Sequence, residues 1–334
     1  MIYKNFEIHG AAEIKEHKNG GITWSRLPED VYQTMSDMGQ RQVLGSTGVE
    51  LRFVMECDEV ILKIQALGDG SSVSTFEIYY GGIQGGWECH EVDKFIPNKA
   101  EEFVIKKPKN MDTLKKMTEQ ACLDWSPEVI RIIFNRGTYR VIGIDGNIRP
   151  PKKNEVPQKT LLCYGSSITH GSNAYTQPDC WVSVLAHNIN YDVVNFGFAG
   201  SCRMEPEVIE YIADYDFDVA VLELGINIRR WEREQAYEYS KNTIKKVAQT
   251  KKPVFVISPF YNDEDFKSGG IKSNMWREVL ESVCKELGYS NVTYINGLDI
   301  LGDMSLISGD EIHPNIYGSR QIAERLTKII KEKV

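Results

Sequence analysis

The stretch KTLLCYGSSITHGSN, residues 159–173, decides the fold of this chain. Its apolar run stops at Gly165 and is followed at once by Ser166 and Ser167, a pattern that predicts a buried strand and a sharp turn. Many α/β enzymes expose a nucleophilic hydroxyl in this way, at the carboxyl edge of a parallel sheet. The same letters are also typical of ordinary turn and helix-capping chemistry, so the rest of the chain has to distinguish the two.

The chain that follows this stretch alternates between strand-like and helix-like segments. The strand-like runs are 160–164, 192–196, 219–224, 254–258 and 292–295. The helix-like runs are 180–190, 235–250, 274–287 and 316–333. Five buried strands joined by helices predict a five-stranded parallel sheet with helices on both faces, a flavodoxin-like three-layer α/β/α domain. Such sheets bind their ligands at the carboxyl ends of the strands, so the functional residues are expected there.

The first 148 residues have a different pattern. β-branched and aromatic residues dominate segments 49–53, 59–67, 74–80, 102–105, 129–135 and 138–144, and glycine-rich turns separate several of them. Short strands with such spacing predict an all-β jelly-roll or sandwich domain over 1–148, with one helix at 112–121. Residues 149–158, which contain three prolines, are expected to link it to a catalytic domain at 159–334.

Composition excludes several classes of function. A net charge of −8 over 334 residues argues against nucleic acid or an anionic membrane as the main partner and favours a small or neutral substrate. No run of about 18 apolar residues is present, so no membrane span is expected. The seven cysteines lack CxxC or Cys/His spacing, which predicts free thiols and no zinc site. The amino terminus has no apolar signal region, so we expect a cytoplasmic protein. We also expect no metal or organic cofactor, and a homo-oligomer is left open.

Five residues fall at the predicted carboxyl edge of the sheet. Ser167 ends the first strand, Gly200 and Asn227 follow the second and third, and Asp310 and His313 precede the last helix. Each residue alone is also typical of an ordinary structural role, as a helix cap, a turn former or a surface residue. Together they supply what acyl transfer needs: a nucleophilic hydroxyl, a base, a carboxylate to orient that base, and donors for the oxyanion.

The stretches YGSSITHG, NFGFAG, ELGIN and DEIHPN resemble, in order, the four sequence blocks of the SGNH/GDSL hydrolase superfamily. The resemblance covers residues 159–333, and it implies the same roles for the same five residues. The position of Ser167 at the turn makes its own N–H available as a third oxyanion donor. The chain also resembles the branch, seen among carbohydrate esterases, in which a β-rich domain precedes the hydrolase domain. The segment STFEIYYGG is loosely similar to a motif of that leading domain.

Two positions depart from the family pattern. Ser166 stands where the family has an aspartate before its serine, and Ile228 stands where an aspartate usually follows the third block. Because these changes lie at the rim of the expected site, they bear on the substrate more than on the chemistry. We expect Ser166, Tyr175, Arg229 and Trp231 to contact substrate, although aromatic residues beside a sheet more often belong to the core.

The hypothesis that follows is a serine esterase acting through Ser167, His313 and Asp310 on O-acyl esters. The resemblance favours an acetyl ester on a sugar or oligosaccharide. A lipase or thioesterase with the same triad, acting on longer acyl chains, is an alternative. A carbohydrate-binding protein without catalysis is a second, and a phosphate or nucleotide binder that uses the Gly-Ser turn is a third.

Overall fold

The computed structural model describes residues 1–68, 74–86 and 93–334. They divide into two compact units. The first unit contains Met1–Glu29, Val43–Gln158 and Asn190–Asp192, and the second contains Asp30–Gln42, Lys159–Ile189 and Val193–Val334. Each domain predicted from the sequence is one continuous segment, 1–148 or 159–334. In the structure, residues 30–42 group with the later part of the chain and residues 190–192 with the earlier part.

Residues 1–158 are built mainly from short strands. The described strands are β1 (Ile2–Tyr3), β2 (Phe6–His9), β3 (Glu13–Glu16), β4 (Ile22–Ser25), β5 (Glu50–Met55), β6 (Glu59–Ala66), β7 (Thr75–Tyr80), β8 (Ile83–Gln84), β9 (Asp93–Phe95), β10 (Glu101–Lys106), β11 (Val129–Phe134), β12 (Tyr139–Asp145) and β13 (Ile148–Arg149). The helices are α1 (Glu29–Tyr32), α2 (Asp37–Val43) and α3 (Met111–Gln120).

The strands of the first unit form two antiparallel sheets. In one the order is β1-β2-β5-β11-β7-β8, with β13 beside β5 and β9 beside β7, and in the other it is β10-β6-β12-β4-β3. Along β6 every second side chain is buried, including Leu62 and Ile64, as the alternation in the sequence predicts. Leu51 and Phe53 of the first sheet share one apolar core with them. The all-β prediction for this part of the chain is therefore confirmed.

The second unit is an α/β layer structure. Its strands are β14 (Thr160–Gly165), β15 (Asp192–Gly197, of which Asp192 groups with the first unit), β16 (Val219–Glu223), β17 (Val254–Ile257) and β18 (Val292–Ile295). Its helices after residue 158 are α4 (Ser167–His170), α5 (Trp181–Ile189), α6 (Pro206–Asp214), α7 (Arg233–Ala248), α8 (Asp263–Lys267), α9 (Ile271–Leu287), α10 (Gly297–Ile300) and α11 (Ile316–Lys331).

The five-stranded sheet is parallel, with the order β15-β14-β16-β17-β18. This is the flavodoxin-like order, and the predicted fold class is confirmed. Helices α5 and α11 pack together, while α7 packs with α6 and α9. The order reverses at β14, so the carboxyl ends of β14 and β16 border the crevice where such sheets bind their ligands. The Gly-Ser turn leaves β14 at this point.

Some elements differ from the expectation. The polar run 261–274 suggests a loop, but Asn262 caps the short helix α8 by accepting a hydrogen bond from the Glu264 N–H, and α9 begins at Ile271. Strands β1 to β4 and helices α2 and α6 form in segments for which no strand or helix is predicted from the sequence. Among the described helices, none has both the length and the apolar character needed to cross a membrane.

The first unit contains a hydrogen-bonded cluster of buried charged residues. Arg52, which is 1% exposed, donates two hydrogen bonds of 2.7 Å to the carboxylate of Asp192 and one of 2.9 Å to Glu50. Arg131 also donates to Glu50, at 2.8 Å from its Nε. Burial opposes the charge on Glu50, but the two guanidinium groups outweigh burial and hold its pKa far below the usual range.

Replacing Arg52 with methionine should destabilise the protein strongly. The change leaves two buried carboxylates without their shared cation, a situation that typically costs about 3–5 kcal/mol. Equilibrium urea unfolding of Arg52→Met against wild type measures this loss. The control is Lys63→Met, which removes the exposed pair with Glu102 and should cost less than about 1 kcal/mol. An equal loss of unfolding free energy in the two variants would contradict the assignment of Arg52 as the cation that stabilises these buried carboxylates.

Candidate active site

The Gly-Ser turn presents its second serine at the first position of a helix. Ser166 is the N-cap of α4, and its hydroxyl oxygen accepts a 3.1 Å hydrogen bond from the Ile168 N–H. The helix ends at Gly171, whose φ of +87° lies in the left-handed region that favours glycine. Ser167 is therefore held at the start of a single helical turn, directly beyond the carboxyl end of β14.

Ser167, His313 and Asp310 form one hydrogen-bonded chain. The Ser167 Oγ lies 2.7 Å from His313 Nε2, and His313 Nδ1 lies 2.9 Å from Asp310 Oδ2. A carboxylate only accepts hydrogen bonds, so the proton on the imidazole belongs to Nδ1. The lone pair of Nε2 then faces the serine hydroxyl. This arrangement can take the serine proton while the carboxylate holds the ring in the required tautomer.

The carboxylate of Asp310 is held from three directions. Its Oδ1 accepts the backbone N–H groups of Ile312 at 3.1 Å and His313 at 2.9 Å, and its Oδ2 accepts the Asn173 amide at 2.6 Å. Partial burial would raise the pKa of Asp310, but these hydrogen bonds and the one from the His313 ring lower it to about 2. Asp310 therefore stays ionised at any pH where such an enzyme works. Nothing in the sequence pairs Asn173 with Asp310, because the two residues lie 137 positions apart in the chain.

Three possible donors for an oxyanion lie on the loops around Ser167. The N–H of Ser167 is the first of its helix, and in the described part of the chain neither it nor the Gly200 N–H donates to a protein acceptor. The Asn227 Oδ1 accepts the Cys202 N–H at 3.0 Å, which leaves the Asn227 amide hydrogens for another partner. The same bond ties the loop after β15 to the turn after β16. These are the donors that the sequence predicts, and their catalytic role stays a prediction.

A residue from far along the chain borders this site. Gly200 has a φ of +68°, and a Cβ added to it would lie 2.7 Å from the Sδ of Met38. Met38 belongs to α2 in the segment 30–42 and is 47% exposed. Nothing in the sequence around Met38 marks it as a site residue, because its nearness to Gly200 depends on the fold alone.

The four expected substrate contacts have different surroundings. Ser166 is 0% exposed and its hydroxyl is fully engaged, so its placement does not support a contact with substrate. Arg229 donates to Asn262 and forms an ion pair with Asp263 at 2.6 Å. Two further expected contacts are aromatic: Trp231 packs against Tyr239 and Trp276, and Tyr175 is 81% exposed. Contact of these last three with a substrate remains a prediction.

Glu223 is a second carboxylate at the site that sequence reasoning missed. It ends β16, is 0% exposed, and its Oε2 accepts hydrogen bonds from Ser166 and Thr169. Burial raises the pKa of Glu223 to about 7, against the opposing effect of those hydrogen bonds. Its place in the run VLELG suggests only a strand end. Across the described ranges, no three His, Cys, Asp or Glu side chains lie together in a way that could hold a metal ion.

Glu223 should make the stability of the protein fall as the pH rises. Its pKa is raised from 4.5 to about 7 on folding, so it costs no stability below pH 4.5 and lowers stability progressively toward pH 7. Glu223→Gln cannot titrate. Its free energy of unfolding relative to wild type should therefore rise by up to about 3 kcal/mol between pH 4.5 and pH 8. Urea unfolding across this range tests it, with exposed Glu207→Gln as the control, and a flat difference for Glu223→Gln would contradict the assignment.

Comparison with known proteins finds solved structures that are similar to most of this chain. The chain is similar to a salicylyl-acyltransferase from a tetracycline biosynthetic pathway at 16% identity and a TM-score of 0.78, over 99% of this chain and 96% of that one. It is similar to a family two carbohydrate esterase from Clostridium thermocellum, solved with cellohexaose, at 16% identity and a TM-score of 0.63, over 98% and 99%. A carbohydrate esterase family 2 enzyme from Corynascus, with a carbohydrate-binding domain, matches at 13% identity and a TM-score of 0.53, over 86% and 94%.

At such identities the solved structures show the fold alone. A search of curated protein sequences found no match. The model of the GDSL-like lipase/acylhydrolase family, in contrast, matches residues 158–331, which is more than half of the 334 residues and includes all four sequence blocks. This chain therefore belongs to the GDSL-like lipase/acylhydrolase family of hydrolases, as its resemblance to the SGNH/GDSL superfamily predicts.

Proposed function

We propose that this protein is a serine esterase that hydrolyses O-acyl esters, and in particular acetyl esters of a sugar or oligosaccharide. The observation that carries the proposal is the chain of hydrogen bonds from Ser167 through His313 to Asp310, with distances of 2.7 and 2.9 Å. Membership of an acylhydrolase family supports the same chemistry. The ionised state of Asp310 supports it further, because the orienting carboxylate has to accept a hydrogen bond from the Nδ1–H group throughout the reaction.

The first half of the reaction forms an acyl-enzyme. The Ser167 Oγ attacks the ester carbonyl carbon as its proton passes to His313 Nε2, and the carbonyl oxygen becomes an oxyanion. The N–H groups of Ser167 and Gly200 and the side-chain amide of Asn227 are proposed to stabilise that oxyanion. The tetrahedral intermediate then collapses: the bond to the alcohol oxygen breaks, and His313 gives its proton to the departing alcohol.

The second half releases the acid. A water molecule gives a proton to His313 Nε2 and attacks the acyl carbon, and a second tetrahedral oxyanion forms at the same donors. On collapse, Ser167 leaves and takes the proton back from His313. If an alcohol replaced the water, the same steps would transfer the acyl group to it. One structural neighbour is named as an acyltransferase, so transfer is an outcome that the assays should monitor.

The acetyl-sugar substrate is the finer part of the proposal. Two neighbours are named as carbohydrate esterases, and they match over most of the chain, including its β-rich first unit. The net charge of −8 favours a neutral substrate over an anionic one. A lipase or thioesterase with the same triad would instead prefer longer acyl chains, which gives a direct way to distinguish the two functions.

Activity on p-nitrophenyl esters should depend on Ser167 and fall with acyl length. We expect turnover of the acetate, weaker turnover of the butyrate and little of the octanoate, and loss of all three in Ser167→Ala. Ser282→Ala, which changes a serine on α9, is the matched control and should keep wild-type rates. Rates that rise with chain length would favour the lipase or thioesterase function. Turnover that persists in Ser167→Ala would contradict the proposed nucleophile.

Two changes at Asn227 should separate its donor from its acceptor role. Asn227→Ala is expected to lower kcat by about 10²–10³, the usual effect of removing one oxyanion donor, while the protein stays folded. Asn227→Asp keeps an oxygen that can accept the Cys202 N–H but offers no donor and adds negative charge. It should therefore lose at least as much kcat. Steady-state kinetics with thermal melting tests both, and a normal rate in either variant would refute the donor assignment.

A further inference from the structure

The carboxylate of Glu223 lies directly behind the nucleophile turn. β14 and β16 are neighbouring parallel strands whose pairing runs up to Tyr164 beside Leu222. The next residue of β16 is Glu223, and its side chain is 0% exposed. Buried carboxylates are rare in proteins unless their surroundings supply strong hydrogen bonds or a cation. The contacts of this one therefore indicate what it does.

All the donors to this carboxylate come from the turn that carries Ser167. The Oε2 of Glu223 accepts the Ser166 N–H at 2.8 Å, the Ser166 hydroxyl at 2.6 Å and the Thr169 hydroxyl at 3.0 Å. Its other oxygen, Oε1, has no hydrogen-bond partner among the described residues. One carboxylate oxygen thus joins the residue before the nucleophile to the residue two positions after it.

Every polar group of Ser166 takes part in a hydrogen bond. Its N–H and hydroxyl donate to Glu223, its hydroxyl oxygen accepts the Ile168 N–H, and its carbonyl oxygen accepts the His170 N–H at 2.9 Å. The peptide that joins Ser166 to Ser167 is fixed as a result. That peptide carries the Ser167 N–H, which is one of the three proposed oxyanion donors, so its direction matters to catalysis.

The backbone leaves room for this carboxylate. A Cβ added to Gly165 would lie 2.7 Å from the Glu223 Oε2 and 2.2 Å from the Thr169 Oγ1. A glycine is therefore needed before Ser166 because the carboxylate approaches the main chain closely. The family motif has an aspartate at the position of Ser166, where one side chain can both cap the helix and carry negative charge. In this chain Ser166 provides the cap and Glu223 provides the carboxylate.

We propose that Glu223 is a positioning residue for the nucleophile, and that it supplies from the neighbouring strand the carboxylate that the family motif places before its serine. Glu223 acts through Ser166: it holds the turn so that the Ser167 hydroxyl and N–H face the same reacting carbonyl. This inference deepens the proposed esterase function and rests on it. It predicts that the carboxylate can be moved back to position 166 with recovery of activity.

The test combines substitutions at these two positions. Glu223→Leu keeps volume but removes the acceptor, and we expect kcat to fall about 10- to 100-fold with KM within about threefold of wild type. Ser166→Asp alone places two carboxylates in contact and should also lower kcat. In Ser166→Asp with Glu223→Gln, the new carboxylate can accept the glutamine amide, so we expect kcat to return to within about threefold of wild type. Thermal melting reports the folded state of each variant.

Two readouts are measured for every variant: p-nitrophenyl acetate kinetics and the rate at which diisopropyl fluorophosphate labels Ser167. In the labelling reaction the serine oxygen bonds to phosphorus, fluoride leaves, and His313 takes the hydroxyl proton. Glu205→Gln is the matched control, since it changes another carboxyl of the second unit whose pKa is raised by burial, and it should alter neither rate. A double variant faster than both Ser166→Asp and Glu223→Gln supports the proposal, because two merely structural defects would not compensate.

The remaining outcomes are distinct. A folded Glu223→Leu with wild-type kcat and labelling rate would overturn the positioning role and leave the esterase function standing. A double variant slower than both single changes would overturn the relocation of the carboxylate. Absence of both Ser167-dependent turnover and labelling in the wild-type protein would refute the proposed function, and the positioning role would fall with it.

Discussion

The parallel pairing of β14 with β16 is the constraint on which the candidate site depends. It brings the carboxyl ends of the two strands together, so that the turn after β14 lies beside Glu223 and the loop that carries Asn227. The sheet order reverses at β14, which leaves a crevice there instead of a continuous row of connections. The His313 loop enters from the other end of the chain and completes the hydrogen-bonded set. A rigid sheet edge thus fixes groups that are up to 146 residues apart in sequence.

Much of this arrangement follows from local sequence signals. The long apolar runs predict the five parallel strands, and the rim residues follow because every parallel strand ends at the same edge of the sheet. Asp310 and His313 are three residues apart, so one tight loop is enough to join them. The partners of Ser166 and Arg229 could not be predicted in this way, since they come from other elements: Glu223 from β16, and Asn262 and Asp263 from the N-cap and first residue of α8.

The segment 30–42 shows a different limit of sequence reasoning. It lies within the β-rich part of the chain, yet it groups with the second unit. Its short helix, α2, has no long apolar period that would reveal where it packs. A Cβ on Gly39 would lie 3.5 Å from the Ser201 Cβ, and Met38 reaches Gly200. A domain boundary predicted from sequence assumes that residues close together in the chain pack in the same core. About a dozen residues here pack with the other unit, and their composition gives no sign of it.

The two carboxylates around Ser167 illustrate how environment assigns chemical roles. Asp310 is partly exposed, and four hydrogen bonds lower its pKa to about 2, so it remains an anion that can orient His313. Glu223 is fully buried, and burial raises its pKa to about 7 in spite of its donors. Near pH 7 Glu223 is therefore present in both protonation states: burial disfavours the anion, and the donors that the sheet and helix hold in place favour it. The fold thus supplies the free energy that keeps the turn before Ser167 ordered, and stability and catalysis are expected to oppose each other at position 223.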